Sequence, residues 1–213
     1  MFIQTETTPN PATLKFLPGV VVLNDGTADF RDAASAADAS PLAAALFTVP
    51  GVTGVFFGYD FVTVTKEEDR DWQHLKPAIL GAIMEHFMAG RAVLAQGASD
   101  AADAEALGEE FYDKADEEIV VTIKELLDTR VRPAVAQDGG DITFRGYDNG
   151  TVFLHMKGAC AGCPSSTATL KHGIQNLLKH FVPEVQQVEQ VAGEGSNPRV
   201  RAVALRLRSL AGE

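Results

Sequence analysis

The sequence predicts an α+β protein made of two small mixed α/β domains joined by an acidic linker. Three observations carry that expectation. Strand-like and helix-period runs alternate in both halves of the chain. Between Gly97 and Glu118 the residues Asp100, Asp103, Glu105, Glu109, Glu110, Asp113, Asp116, Glu117 and Glu118 stand against the single base Lys114. Finally, 213 residues with an apolar fraction of 46% suffice for one or two buried cores.

The first domain is expected over residues 1–90. Thr8-Pro9-Asn10-Pro11 reads as a rigid turn before a strand. Leu14 and Phe16 alternate with polar neighbours, and Val20-Val21-Val22 extends the strand-like stretch. Ser40 caps a helix that has Pro41 at its first position, Leu42, Leu46 and Phe47 on its apolar side, and Pro50-Gly51 as its stop. Val52–Phe57 and Phe61–Val64 form a hairpin around Gly58-Tyr59-Asp60, with Phe56, Phe57 and Phe61 as its core. Trp72–Ala89 is helical, but Pro77 suggests that the regular helix starts there, burying Ile79, Ile83 and Phe87.

Residues 91–113 read as a solvated linker, and a flexible stretch of that size spans about 25 Å root-mean-square. The second domain, 114–191, has an α-β-β-α-β pattern. Ile119, Val120, Ile123, Leu126, Leu127 and Val131 mark one helical face that Arg132-Pro133 should end. Asp138-Gly139-Gly140-Asp141 is a turn, with both aspartates shaping it. Asp148-Asn149-Gly150 is a hairpin turn before the partner strand Thr151–Met156. A helix with Leu170, Ile174, Leu177, Leu178 and Phe181 on one face ends at Pro183, and Val185–Val191 is a last strand. Residues 192–213 form an extension that reads equally as a strand or a basic tail.

A net charge of −11 disfavours nucleic acid or an anionic membrane as partner, because both reward lysine and arginine. No apolar run reaches the ~18 residues of a membrane span. The N-terminus has neither a secretory signal nor a transit-peptide composition. Two cysteines are too few for a secreted disulfide framework, so the expected setting is a reducing cytoplasm.

Those two cysteines, Cys160 and Cys163, are spaced as CxxC directly before a helix opened by Pro164. Cys163 is the expected cap residue, and the amides and dipole of the first turn favour thiolate over thiol. A closed thiolate site needs four sulfurs, and one chain supplies two. Three completions compete. A structural zinc module would recruit other ligands, with His155 and His172 the nearest imidazoles. A thiol–disulfide oxidoreductase would use the pair alone, although Pro164 follows the second cysteine and no βαβ unit precedes it. A second copy of the chain would supply the same pair across a twofold axis. In that case cluster ligation must drive dimerisation, since two protomers of −11 repel.

Around these cysteines the run Gly158-Ala159-Cys160-Ala161-Gly162-Cys163-Pro164-Ser165-Ser166, after Gln137-Asp138-Gly139-Gly140-Asp141, resembles the Nfu-type (NifU C-terminal-like) iron–sulfur assembly domain. Gln4–Phe16 with Pro18-Gly19 is similar to the N-terminal domain that accompanies it. The resemblance implies a non-enzymatic scaffold or carrier. It implies Cys160 and Cys163 as the cofactor-binding and metal ligands of a [4Fe-4S] cluster bridging two protomers. The implied partners are upstream cluster assembly proteins, apo iron–sulfur proteins that receive the cluster, and a second copy of the chain. Mitochondrial members of the family carry a presequence that is not seen here, so the resemblance implies a bacterial cytoplasm.

Overall fold

The computed structural model describes residues 2–95, 110–161 and 164–191, without the side chains of 164–166. Most of the expected linker and the whole 192–213 extension lie outside the described residues. The chain divides into two compact units. One holds Met1–Asp103 together with Asp138–Asp141 and Lys157–Cys163; the other holds Ala104–Gln137, Ile142–Met156 and Pro164–Glu213. Mixed helix and sheet in both units agree with the α+β expectation.

The first unit contains strands β1 (Gln4–Thr7), β2 (Thr13–Leu17), β3 (Ala28–Phe30), β4 (Val52–Phe57) and β5 (Val62–Lys66). They form an antiparallel sheet of order β1-β2-β5-β4-β3. Helices α1 (Ala33–Ala37), α2 (Pro41–Phe47) and α3 (Trp72–Met88) accompany it. Alternation along the strands places Leu14, Phe16, Val55, Phe57, Val62 and Val64 in one core with Leu42, Leu46, Ile79 and Ile83. Ser40 caps α2 as expected, its hydroxyl accepting from the Ala43 amide at 3.0 Å.

Two local expectations differ. The strand stops at Leu17, and Pro18-Gly19 turns the chain so that Val20 and Val21 are exposed while Val22 is buried. Helix α3 starts at Trp72, not at Pro77, because the Asp71 carboxylate accepts from the Gln73 amide and fixes the first turn. The missing amide of Pro77 would have paired with the Gln73 carbonyl, and Gln73 and Pro77 are both exposed, a setting in which the loss of that bond costs little.

His86 on α3 is fully buried, and neither ring nitrogen has a hydrogen-bond partner. Burial, and after it the positive charge of Arg91, hold its pKa below the ordinary 6.5. The native state therefore keeps the imidazole neutral while the unfolded chain takes up a proton below that value. Stability linked to His86 is present above pH 6.5 and is lost as pH falls further. His86→Phe is expected to shrink that acid-side loss and to raise stability at pH 7 by about 1 kcal/mol, since an unsatisfied polar group is removed at similar volume. Urea midpoints measured from pH 7.5 to 5 check this; parallel curves for the two proteins would contradict it.

In the second unit a 3-10 turn (Lys114–Asp116) leads into α4 (Glu117–Leu126), a π-helical turn (Leu127–Val131) and α5 (Arg132–Gln137). The helix thus passes through Arg132-Pro133, where the sequence suggested its end. The wider turn explains this: the Arg132 amide donates to Leu127 O, five residues back, which loosens the chain just where a proline ring would crowd a regular helix. Val120, Ile123, Leu127, Val131 and Val135 are its buried stripe.

Strands β6 (Gly140–Asp148), β7 (Thr151–Gly158) and β8 (Gln187–Val191) form a sheet in that order, β7 and β8 parallel. Asn149 and Gly150 both have positive φ (46° and 79°), the geometry that a two-residue hairpin turn requires. Helix α6 (Pro164–Phe181) buries Ile174 and Leu178, but Phe181, expected on that face, is exposed under the Arg130 guanidinium at 4.7 Å.

Candidate metal centre

The β6–β7 hairpin opens at the end that carries the chemistry. Gly139 and Gly140 lead into β6, and Gly158 ends β7 in a left-handed conformation (φ 60°) that folds the chain back over residues 158–161. Two backbone bonds close this loop: Ala159 N to Gly139 O and Ala161 N to Gly158 O, each 3.1 Å. Cys160 sits in its middle at 6% exposure. A β-carbon on Gly140 would lie 2.5 Å from Cys160 Sγ and 2.7 Å from Lys157 O, so the absence of a side chain makes the room that the sulfur fills.

Burial pushes the Cys160 thiol up to about 12, with the negative charges of Asp138 and Asp141 adding to it. This corrects the expectation of a thiolate-like sulfur at this position. Cys163, the expected cap of α6, lies outside the described residues, and so do the side chains of Ser165 and Ser166. Of the nearby imidazoles, His155 is half-buried on β7 and His172 is exposed on α6. Among the described residues no group of three or more His, Cys, Asp or Glu is placed to hold a metal ion.

Within the first unit, this loop lies on the sheet face opposite the helices. That face is buried too: Thr13 (2%), Lys15 (7%), Phe56 (1%) and Thr63 (1%) are all covered. Thr63 Oγ1 donates to Gly139 O at 2.7 Å, and a β-carbon on Gly158 would meet the Phe56 ring at 2.8 Å. Asn10 is 3% exposed, and its Nδ2 donates to Ala161 O at 3.2 Å and Ala159 O at 3.5 Å, the carbonyls on either side of Cys160. Asn10 is itself held by a turn, its Oδ1 accepting from Ala12 N and its carbonyl from Thr13 N. Thr27 Oγ1 donates to Asp141 Oδ2 at 3.2 Å. Of the two aspartates expected to shape the turn only Asp138 stands in it, because β6 already begins at Gly140 and takes in Asp141.

Sequence reasoning treated Asn10 and Thr63 as ordinary turn and strand residues and did not connect them with Cys160. One signal was present: the Phe56-Phe57 doublet puts an aromatic ring on each face of β4, which a strand with one solvated face would not need.

Residues 3–90 match the family described as "Scaffold protein Nfu/NifU N terminal", and residues 123–189 match the "NifU-like domain". A mitochondrial NFU1 iron–sulfur cluster scaffold homolog of Drosophila willistoni is 54% identical over 195 residues, covering 91% of this chain and 65% of the relative. The protein of the same name from Drosophila ananassae is 51% identical over 191 residues, covering 90% and 64%. The chain thus spans about two thirds of the length of these relatives. Among solved structures, a NifU-like protein of Saccharomyces cerevisiae aligns at 27% identity over 45% of this chain and 86% of its own, with a TM-score of 0.41. The mitochondrial naming of the relatives overturns the expectation of a bacterial cytoplasm, which had leaned on the lack of a presequence. Composition at Met1 does not decide compartment when relatives extend well beyond the matched part. No described helix is long and apolar enough to cross a membrane.

Proposed function

From the premise that the chain belongs to the family of Nfu-type iron–sulfur cluster scaffolds, we propose that it binds a [4Fe-4S] cluster between two protomers and passes it to apo iron–sulfur proteins. Cys160 and Cys163 of each protomer supply the four thiolates. The observation that carries this is that both cysteines of the chain fall inside the stretch matching the NifU-like domain, residues 123–189. The cluster is cargo, held where two like-charged chains meet. Once it leaves, little favours the dimer, because protomers of −11 repel. In this proposal residues 1–90 form the N-terminal domain, 91–113 a linker and 114–191 the cluster-binding domain. The cluster arrives from upstream assembly proteins, and no catalytic turnover is assigned.

Anaerobic reconstitution with iron and sulfide tests it. About four irons and four sulfides per dimer are expected, with broad visible absorption, and dimer content should rise in proportion to cluster content. A colourless monomer, or tightly bound zinc in anaerobically purified protein, would overturn the proposal.

A further inference from the structure

The second buried face of the five-stranded sheet lies against the loop that carries Cys160. Thr63 Oγ1 donates at 2.7 Å to Gly139 O, the carbonyl that also accepts from the Ala159 amide of the loop, and Asn10 Nδ2 donates to the carbonyls of Ala159 and Ala161, the residues before and after Cys160. Phe56 closes on Gly158, where any side chain would collide with its ring. Asn10, Thr63 and Phe56 are all buried, and so is Lys15 on the same face, whose ammonium sits 4.8 Å over the Phe61 ring and 3.4 Å from Glu6. A lysine and two threonines are removed from water on this face, which an unoccupied sheet surface would leave solvated.

We propose that this face is an intramolecular docking surface for the 158–161 loop, with Asn10 and Thr63 as latch residues that withhold Cys160 until the loop is released. The inference rests on the cluster-carrier reading for its purpose. A sulfur at 6% exposure cannot reach a cluster shared with another protomer, so the loop must leave the sheet before Cys160 can serve as a ligand. The latch gives a chain without cargo a closed resting state. It also makes the first residues of the chain, far from the cysteines in sequence, the ones that set how often the site opens. The hold is modest by construction: a few neutral hydrogen bonds, each offsetting solvation that returns on opening.

The test is the rate at which Cys160 of the apo protein is alkylated by iodoacetamide at a fixed pH, with the label assigned to Cys160 or Cys163 by tandem mass spectrometry. Wild-type Cys160 should label slowly. Asn10→Ala and Thr63→Val should each speed labelling about fivefold, the factor for one net hydrogen bond, and the double variant by about the product. Thr63→Val keeps the buried volume and needs no turn residue, so it decides the matter if Asn10→Ala perturbs the 8–13 turn. Wild-type rates in folded variants would overturn the latch. Labelling does not depend on cargo: faster labelling in a protein that binds no cluster leaves the latch standing and removes the carrier reading. Unchanged labelling in a protein that does bind cluster removes the latch alone.

Discussion

Replacing Cys160 with serine or alanine is expected to bring iron and sulfide retention to background and to abolish cluster-dependent dimerisation. Two protomers then offer two thiolates where a closed cluster needs four, and the described surroundings hold no substitute. His155 and His172 do not form a metal-ligating group with other described residues, and the carboxylates of Asp138 and Asp141 are hard ligands suited to other metals. The two substitutions differ in what they do to the fold. Serine leaves a hydroxyl in a place that gave 6% exposure to a sulfur, against the backbone of Gly140 and Lys157, and is expected to destabilise by about 1–2 kcal/mol. Alanine leaves a small void and is expected to cost about 1 kcal/mol. Equal loss of cluster from both, with unequal loss of stability, separates ligation from folding. Iron analysis with analytical ultracentrifugation reads the first, and urea denaturation the second. A Cys160→Ala dimer carrying its full iron would remove Cys160 from the ligand set.

Much of this architecture is legible in residue patterns, for identifiable reasons. The cap at Ser40, the Asn149-Gly150 turn and the buried stripe from Val120 to Val131 are local devices, fixed by residues within a few positions of one another. Pro77 and Pro133 misled because a proline's penalty depends on what its missing amide would have met. At Pro77 that is the carbonyl of an exposed residue, Gln73, and at Pro133 it is a helix already widened by a π turn. The CxxC spacing names a site, but its electrostatics were misjudged. Sequence shows which helix a cysteine precedes and not how much solvent it keeps, and burial raises the Cys160 thiol. The latch was the least legible feature, since Asn10 meets the cysteine loop from 149 positions away and Thr63 meets Gly139, to which that loop is bonded, from 76. Long-range contacts of this kind leave no periodic trace. They show only as polar residues whose burial the local pattern does not explain.

The largest structural effect is expected from a single methyl group at either glycine of the loop. Gly158→Ala forces a left-handed backbone at φ 60° onto a residue with a β-carbon and drives that carbon to 2.8 Å from both Gly139 O and the Phe56 ring. The backbone term alone is about 1–2 kcal/mol, and the overpacking adds a similar amount. Gly140→Ala carries no such backbone strain, but its β-carbon would sit 2.5 Å from Cys160 Sγ, 2.7 Å from Lys157 O and 3.0 Å from Cys160 N. Two of those three atoms are backbone, so the strand end and the loop must separate for the methyl to fit. Both variants should therefore lose about 2–4 kcal/mol, or relieve part of that by opening the loop. Opening has a distinct signature. Gly140→Ala should expose Cys160 and label it faster than wild type, while the hairpin amides distant from the loop keep their hydrogen-exchange protection. Gly81→Ala in α3 is the internal standard, because nothing lies within 4 Å of its β-carbon and helix propensity alone should add about 0.5–1 kcal/mol. If Gly140→Ala and Gly81→Ala shift the urea midpoint in the same direction, the packing assigned to Cys160 against Gly140 is wrong. The loop would then have to be held by something other than the fit between that sulfur and that strand.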